Sequence, residues 1–239
     1  MIYIISDTHG LYKRYEAMLK KIQLKDEDKL YVLGDVIDRG PQSFEILFDI
    51  MNRNNTEMFL GNHEHMMLTY LEGSDKESWF YGVNGGRETY RKFMTFDEAK
   101  KDEIVNYLKE KTTIIRNLEF ENKRYILSHT SALTDGRDMF TKDYKDTLMY
   151  IQDIVWNMSA DNIGTIPYKK KPDKETILIS GHIVSRRLHD SDDVFIREYE
   201  NGYTWMDIDC GCAMGYPYGQ LSCVAISDEG EIENIYYVS

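Results

Sequence analysis

Three short polar clusters, each entered from an apolar run, hold residues that could do chemistry together: DTHG at 7–10, GDVIDRGP at 34–41 and GNHE at 61–64. Asp7 and His9 lie two apart, a spacing that turns both side chains to one side as extended chain leaves a strand. Asp35, Asp38 and Arg39 crowd the second cluster, and Asn62 and His63 open the third. Farther on, ILSHT and LISGH place His129 and His182 after further apolar runs. A lone histidine is more often a satisfied polar residue than a ligand. Four of the six histidines at such positions, beside two aspartates and an asparagine, reverse those odds.

The chemistry these types suit is phosphoryl transfer to water. Two divalent ions about 3.5–4 Å apart clamp a phosphoryl group and generate a hydroxide between them. Such a pair needs a shared carboxylate, with hard oxygens and imidazole nitrogens filling the other positions. Asp35 reads as the bridge, Asp7 and His9 as the remainder of one site, and Asn62, His129 and His182 as the other. The ions' charge outweighs that of Asp7 and Asp35, so the site is locally positive and attracts phosphate. No thiolate belongs to the set, which points to manganese first, with iron or zinc as alternatives. A structural zinc site on Cys210, Cys212 and Cys223 would lack its fourth sulfur.

The elements that must position these residues alternate. Ile2–Ile5 is an apolar run, and Leu11, Tyr15, Met18, Leu19 and Ile22 follow at helical spacing. Leu30–Leu33 is the next strand, Pro41 suits the first position of a helix faced by Phe44, Leu47, Phe48 and Met51, and Met58–Leu60 is a third strand. Alternation of this kind implies a parallel sheet, whose ligands sit beyond the carboxyl ends of the strands. Met66, Met67, Tyr70 and Leu71 predict a helix after GNHE, and Thr95 with Glu98 predicts a capping box before Ile104, Val105 and Leu108. Between them, Trp79, Tyr81 and Asn84-Gly85-Gly86 read equally as a wall of the substrate cleft or a packed connection, with Asn84 a candidate substrate contact. The chain reads as one domain, 1–239, with a helical insert at about 64–113 and no repeat or linker.

Composition narrows the function classes. With 29 Lys plus Arg against 41 Asp plus Glu, the net charge of −12 argues against non-specific nucleic-acid binding. MIYIISDTHG has a short apolar run and no basic leader, so it reads as a buried strand and neither a signal peptide nor a membrane span. Three cysteines form no even disulfide framework and suit a reducing compartment, so a cytoplasmic location without a membrane partner is expected. Lys169, Lys170 and Lys171 read as a solvated loop ahead of a patch for acidic substrates. Oligomeric state leaves no signal.

Together DTHG, GDVIDRG, GNHE, strand-end His129 and Gly181-His182 resemble the ordered signature of the calcineurin-like metallophosphoesterases, in the phosphoprotein phosphatase branch. IDCG at 208–211 is similar to the family's late I-D-x-G segment. WFYGVNGGRET at 79–89 is similar to the Trp, Asn-Gly-Gly, Thr segment of small bacterial members. The resemblance implies a mixed α/β fold, a four-layer αββα sandwich of two mixed sheets flanked by helices, and it matches the metal set residue by residue. It also implies that Arg39 binds phosphate and that His63, oriented by Asp38, is the general acid toward the leaving oxygen; a local Asp38–Arg39 salt bridge is the plainer alternative.

Departures accompany the match. Many members carry a second phosphate-binding arginine after a tryptophan, where this chain has Ile154-Val155-Trp156-Asn157-Met158. His-Ala-Gly becomes His129-Thr130-Ser131, and Leu60 precedes GNHE. Arg87, Arg186 and Arg187 are candidates to replace the missing arginine, each more simply read as surface charge. The leading expectation is a serine/threonine protein phosphatase cleaving phosphate monoesters of a protein or small phosphoester by attack of a metal-bound hydroxide. The alternative is symmetrical hydrolysis of dinucleoside tetraphosphates. A metal-containing binding protein with decayed catalysis is the reading from another class; retention of His63, Asp38 and every ligand opposes it.

Overall fold

Strands buried on both faces read as unbroken apolar runs, because neither face has to offer polar groups to water. The computed structural model describes residues 1–74, 78–130, 137–156, 171–214 and 218–239. Ser131, Asn157, Met158, Lys169 and Lys170 lie outside the described residues. The chain begins with β1 (Ile2–Ile5), α1 (Tyr12–Ile22), β2 (Lys29–Val32), α2 (Ser43–Asn52) and β3 (Thr56–Met58). Four helices follow: α3 (Asn62–Leu71), α4 (Ser78–Tyr81), α5 (Gly86–Phe93) and α6 (Glu98–Glu110). The second half comprises β4 (Thr113–Glu119), β5 (Lys123–Ser128), β6 (Met139–Phe140), α7 (Gln152–Val155), β7 (Glu175–Ser180), β8 (Phe195–Glu198), β9 (Tyr203–Asp207), β10 (Leu221–Ile226) and β11 (Ile232–Val238).

Among the described residues the strands form two mixed sheets, in the orders β11-β10-β1-β2-β3 and β6-β4-β5-β7-β9-β8. Each has a parallel core, β1-β2-β3 in one and β5-β7-β9 in the other, with antiparallel neighbours outside it. Phe59 pairs in parallel with Thr113, and Leu60 N donates to Thr113 O at 2.8 Å, so the two sheets are stitched where the chain reaches GNHE.

Strand alternation sorts the core into two layers. Ile4, Leu33, Leu127, Ile177, Ile179, Val224 and Ile226 cluster between the sheets. Their strand neighbours Tyr3, Ile5, Val32, Cys223 and Ala225 face the helices, with Tyr15, Met18 and Ile22 of α1 and Phe44, Leu47 and Ile50 of α2. Burial of each large side chain contributes roughly 1.5–3 kcal/mol. Helices cover the outer faces, which completes the expected four layers. No described helix is long and apolar enough to cross a membrane.

Three local expectations are corrected. Pro41 lies in the turn two residues before α2, because Asp38 N donates to Ser43 Oγ at 3.0 Å and Gln42 N to Gly10 O at 3.0 Å, tying residues 38–42 to the first loop. The third strand is Thr56–Met58; Phe59 N still donates to Val32 O at 2.8 Å while Phe59 pairs with Thr113, and Leu60 N bonds to the second sheet. Asp97, not Thr95, caps α6 by accepting from Lys100 N at 2.8 Å; Thr95 Oγ1 turns back to Lys92 O at 2.6 Å.

Candidate active site

The candidate residues sit where the chain leaves a strand, as the alternation predicts: DTHG after β1, GDVIDRG just past β2, GNHE opening α3, His129 after β5 and Gly181-His182 after β7. The first two loops run side by side, with His9 N donating to Asp35 O at 2.9 Å and Gly10 N to Val36 O at 2.8 Å. Among the described non-glycine residues, seven take positive φ, and six of them are Asp7, His9, Asp35, Asp38, Arg39 and His182. The seventh, Gln23, closes α1. Left-handed backbone is costly for such residues and persists only where surrounding contacts impose it. Among the described residues strain is thus gathered around one site, and it turns these side chains, all but that of the exposed Arg39, toward the cluster.

Glu64 supplies much of that constraint, a role missed at the sequence level. Its fully buried carboxylate accepts from Asp35 N and Gly61 N at 2.9 and 3.0 Å, and from Val36 N and Ile37 N at 2.8 and 3.1 Å. One side chain therefore ties the GDVID turn to the start of α3. A Cβ on Gly61 would overlap Oδ1 of Asp35, so only glycine lets the two loops approach so closely.

Around Asp35 the side chains converge with more lone pairs than protons. His129 Nδ1 donates to Leu33 O at 2.6 Å, which leaves Nε2 bare; it faces Asn62 Oδ1 at 2.9 Å and Asp35 Oδ1 at 3.3 Å. His9 Nδ1 donates to Ile37 O at 3.0 Å, and its Nε2 lies 3.7 Å from Asp35 Oδ2 and 3.9 Å from Asp7 Oδ1 with no hydrogen-bond partner. His182 Nδ1 lies 2.9 Å from Asn62 Oδ1, and its backbone N donates to Asp7 Oδ2 at 3.1 Å. Among the described residues two groups could hold a cation: His9, Asp35 and His63, and Asp35, His129 and His182, the ligand atoms of each within 4.8 Å of one another. They share Asp35. Asp7 borders the first group and Asn62 the second, so all six candidate ligands meet here.

Burial makes this cluster resist its own charge. Burial, then the neighbouring Asp209, holds the Asp7 carboxyl well above its ordinary range, and burial, then Asp7, does the same to Asp35. Burial pushes the His9, His63 and His129 imidazoles well down, so they stay neutral and keep their lone pairs. Neutral imidazoles around carboxylates with orphaned nitrogens are the donor set that divalent cations complete.

Beside the cluster, His63 Nδ1 lies 2.7 Å from Asp38 Oδ2, and its Nε2 lies 3.3 Å from Arg39 Nη2 and 3.7 Å from Asp35 Oδ2. Asp38 therefore pairs with His63, and among the described ion pairs there is none to Arg39. Trp79 Nε1 also donates to Asp38 Oδ2, at 2.8 Å. Trp79 is wholly buried, and a Cβ on Gly85 (φ 90°) would stand 2.5 Å from Arg39 N, so the WFYGVNGG segment buttresses Asp38 and Arg39 from behind. Asn84 does not join the cluster; its amide lies 3.8 Å from the Met66 sulfur. Arg39 itself is exposed.

The remaining candidates separate. Arg87 is exposed on α5, and Arg186 is held by Asp192. Asp207 ends β9 and Asp209 follows in IDCG, both in the same buried zone, Asp209 close enough to act on Asp7. The three cysteines are free and buried, and burial pushes each thiol up to about 12. Among the described residues none joins a metal-compatible group.

Residues 1–207 match the calcineurin-like phosphoesterase family, and the chain belongs to it. Among curated proteins it is similar to the symmetrical bis(5'-nucleosyl)-tetraphosphatase of Erwinia tasmaniensis, 29% identical over 141 residues that cover 58% of this chain and 47% of that one. The enzyme of the same name from Buchnera aphidicola is 30% identical over 131 residues, 54% and 43% of the two chains. The chain spans about half the length of the curated relatives it matches. Its fold is similar to the crystal structure of a protein provisionally described as a diadenosine tetraphosphatase, with a TM-score of 0.59, 19% identity and coverage of 99% and 92%. A cold-active protein-tyrosine phosphatase of a psychrophilic Shewanella species gives a TM-score of 0.57 at 16% identity, covering 95% and 75%. At these identities the likeness to solved structures is one of fold.

Proposed function

We propose that this chain is a dinuclear-metal-dependent phosphoester hydrolase that cleaves dinucleoside tetraphosphates symmetrically. The observation that carries the hydrolase reading is Asp35, whose Oδ1 faces His129 at 3.3 Å while Oδ2 faces His9 and His63 at 3.7 Å each. A carboxylate shared between two ligand groups suits a pair of divalent ions. Asp7 and His9 would complete one, and Asn62, His129 and His182 the other. The oxygen and imidazole donors favour manganese, with iron or zinc as alternatives. Bound there, such ions polarise phosphoryl oxygens and make a nucleophile of water at neutral pH.

The chain's own residues bind the substrate and move the proton. Arg39 offers two parallel donors to a phosphate oxygen pair. His63 holds Nε2 toward the leaving oxygen, with Nδ1 fixed by Asp38 and Asp38 fixed by Trp79. Without substrate, Arg39 Nη2 faces Nε2 at 3.3 Å and its charge, after burial, helps keep the imidazole neutral. A phosphate that draws Arg39 aside and adds its own negative charge favours the protonated imidazole, which is the form a general acid needs.

The substrate reading rests on the relatives, which are named for symmetrical dinucleoside tetraphosphate cleavage at 29% and 30% identity. It takes precedence over the serine/threonine phosphatase suggested by the motifs. The His63–Asp38 pair is what favours that second reading, since an alkoxide leaving group needs an acid most. The discriminating assay compares kcat/KM of manganese-reconstituted protein on a dinucleoside tetraphosphate, a phosphoserine peptide and p-nitrophenyl phosphate. The dinucleotide is expected to lead. A peptide preference of tenfold or more would restore the protein phosphatase, and no turnover on any of the three would favour a binding protein.

A further inference from the structure

A cavity of about 470 Å3 opens where β2 and β3 begin, at Lys29 and Thr56, so the length of the strands separates it from the loops that carry the metal-compatible groups. At about 3.3 Å per residue, β2 alone sets Lys29 about 10 Å from Val32. Part of the lining is apolar: Ile50 and Met51 of α2, Met58 of β3 and Phe140 of β6, with Tyr107 of α6 among them. The Tyr107 hydroxyl has no hydrogen-bond partner among the described residues, and burial, then Glu57, pushes it up to about 12, so it stays a neutral donor.

The charged lining is lopsided. Five cations, Lys29, Arg53, Lys111, Arg116 and Lys142, meet two carboxylates, Glu57 and Glu110, in a chain whose net charge is −12. Glu57 accepts from Arg116 Nε at 2.9 Å and Nη2 at 2.6 Å and from Thr113 Oγ1 at 2.7 Å, with Lys29 Nζ 3.7 Å away. Arg53 holds Asp49, and Lys145 takes Glu110 at 2.7 Å. Lys111 and Lys142 remain. Both are exposed, and among the described residues neither side chain has a carboxylate or hydrogen-bond partner. The fold brings these two together from different segments: Thr112 Oγ1 donates to Thr141 Oγ1 at 2.8 Å and Thr141 N to Thr112 O at 3.1 Å, with Lys111 before the first threonine and Lys142 after the second. Lys142 Nζ and the Arg116 guanidinium each lie 5.0 Å from the centre of the Phe140 ring, so cation and apolar wall adjoin. Uncommitted cations beside an apolar wall complement anionic groups carried on an apolar body, and the cavity has the size of a small-molecule site.

We propose that this cavity binds a small organic polyanion, its anionic groups at Lys111 and Lys142 and its apolar body against Met58, Tyr107 and Phe140. The probe is 1,5-naphthalenedisulfonate, a dianion that is no phosphoester, titrated into manganese-loaded protein by calorimetry. Saturable binding of one probe per chain is expected, weaker for naphthalene-1-sulfonate and weaker again for sulfate. Lys111→Ala combined with Lys142→Ala should raise Kd by about 3- to 30-fold, the range for two exposed charged contacts, while Tm holds and kcat on p-nitrophenyl phosphate stays within about twofold. Lys111→Arg combined with Lys142→Arg keeps both charges and should bind within about threefold of wild type. Arg39→Ala should bind the probe as wild type does. No saturable binding to the wild type, or an unchanged Kd in the double alanine variant, would overturn the proposal. Loss of binding in Arg39→Ala with the double alanine variant unaffected would put the probe at the metal cluster and overturn it as well. None of these outcomes bears on the hydrolase reading, which turnover decides.

Discussion

Trp79 and Asp38 meet across 41 positions of sequence: the indole Nε1 donates to Oδ2 of Asp38 at 2.8 Å, the same oxygen that lies 2.7 Å from Nδ1 of His63. A buried tryptophan thus holds the residue that holds the histidine. Trp79→Phe keeps most of the ring and deletes the donor, leaving a buried carboxylate short of one hydrogen bond at a cost of about 1–3 kcal/mol. The variant should melt lower and lose roughly 3- to 10-fold in kcat, a modest loss of orientation, with unchanged metal content. Unaltered melting and turnover would mean that the indole only fills space.

Asp35 is the shared carboxylate of both metal-compatible groups, so Asp35→Asn should weaken both at once. Metal analysis of the purified variant should show reduced occupancy, and hydrolysis should be nearly abolished. Asp7→Asn borders one group only and should recover partly in excess manganese. Wild-type metal content and turnover in Asp35→Asn would refute the shared-ligand assignment.

The leaving group can report on His63. A serine alkoxide needs a proton as its P–O bond breaks, whereas p-nitrophenolate and a nucleotide phosphate, with a second pKa of about 6, leave as stable anions. Removing a positioned acid costs roughly 100- to 10,000-fold where protonation limits the rate. His63→Asn should therefore slow a phosphoserine peptide far more than p-nitrophenyl phosphate or the dinucleotide. Equal slowing at full metal occupancy would assign His63 to metal or phosphate binding, a role its place beside His9 and Asp35 also permits.

Protons and metal compete for this site, and burial sets the sign. In metal-free protein, burial raises Asp7, Asp35 and Asp207 well above the carboxylate range and brings Asp38 and Glu64 to about 7. Groups with raised folded pKa values contribute stability that is complete below the unfolded value and is lost as pH rises through the folded one. The histidines act oppositely: His9, His63 and His129 are pushed well down and His182 to about 4, so their contribution is complete above about 6.5. Between pH 6.5 and 8 the carboxyl groups dominate, and metal-free protein should lose Tm. Manganese should flatten that slope by replacing the protons. Thermal unfolding with chelator and with manganese across this range provides the check; a chelated Tm that rises would contradict the burial of these carboxyls.

Strand-end logic made the six candidate ligands legible, because a parallel sheet delivers whatever follows its strands to one edge whatever the sequence separation. His129, after β5 of one sheet, and Asn62, after β3 of the other, are 67 positions apart and meet because the two sheets are joined at Phe59 and Thr113 with these strand ends on the same side. What stayed hidden depended on partners that periodicity does not reveal. Glu64 reads as one more acid at a helix start, yet four amides from two loops define it. Pro41 carries the pattern of a helix start, but contacts from Ser43 and Gly10 hold it in a turn. Arg186 and Arg187 are adjacent and alike in sequence; only the fold gives one to Asp192 and leaves the other exposed.

The most direct test is product analysis. Manganese-loaded protein is incubated with diadenosine tetraphosphate in 18O-enriched water, and the products are separated and weighed. Symmetrical cleavage yields adenosine diphosphate alone, with one 18O in half of the molecules and none in the other half. A mixture of adenosine triphosphate and monophosphate, or intact dinucleotide under conditions where p-nitrophenyl phosphate is hydrolysed, would contradict the proposed function.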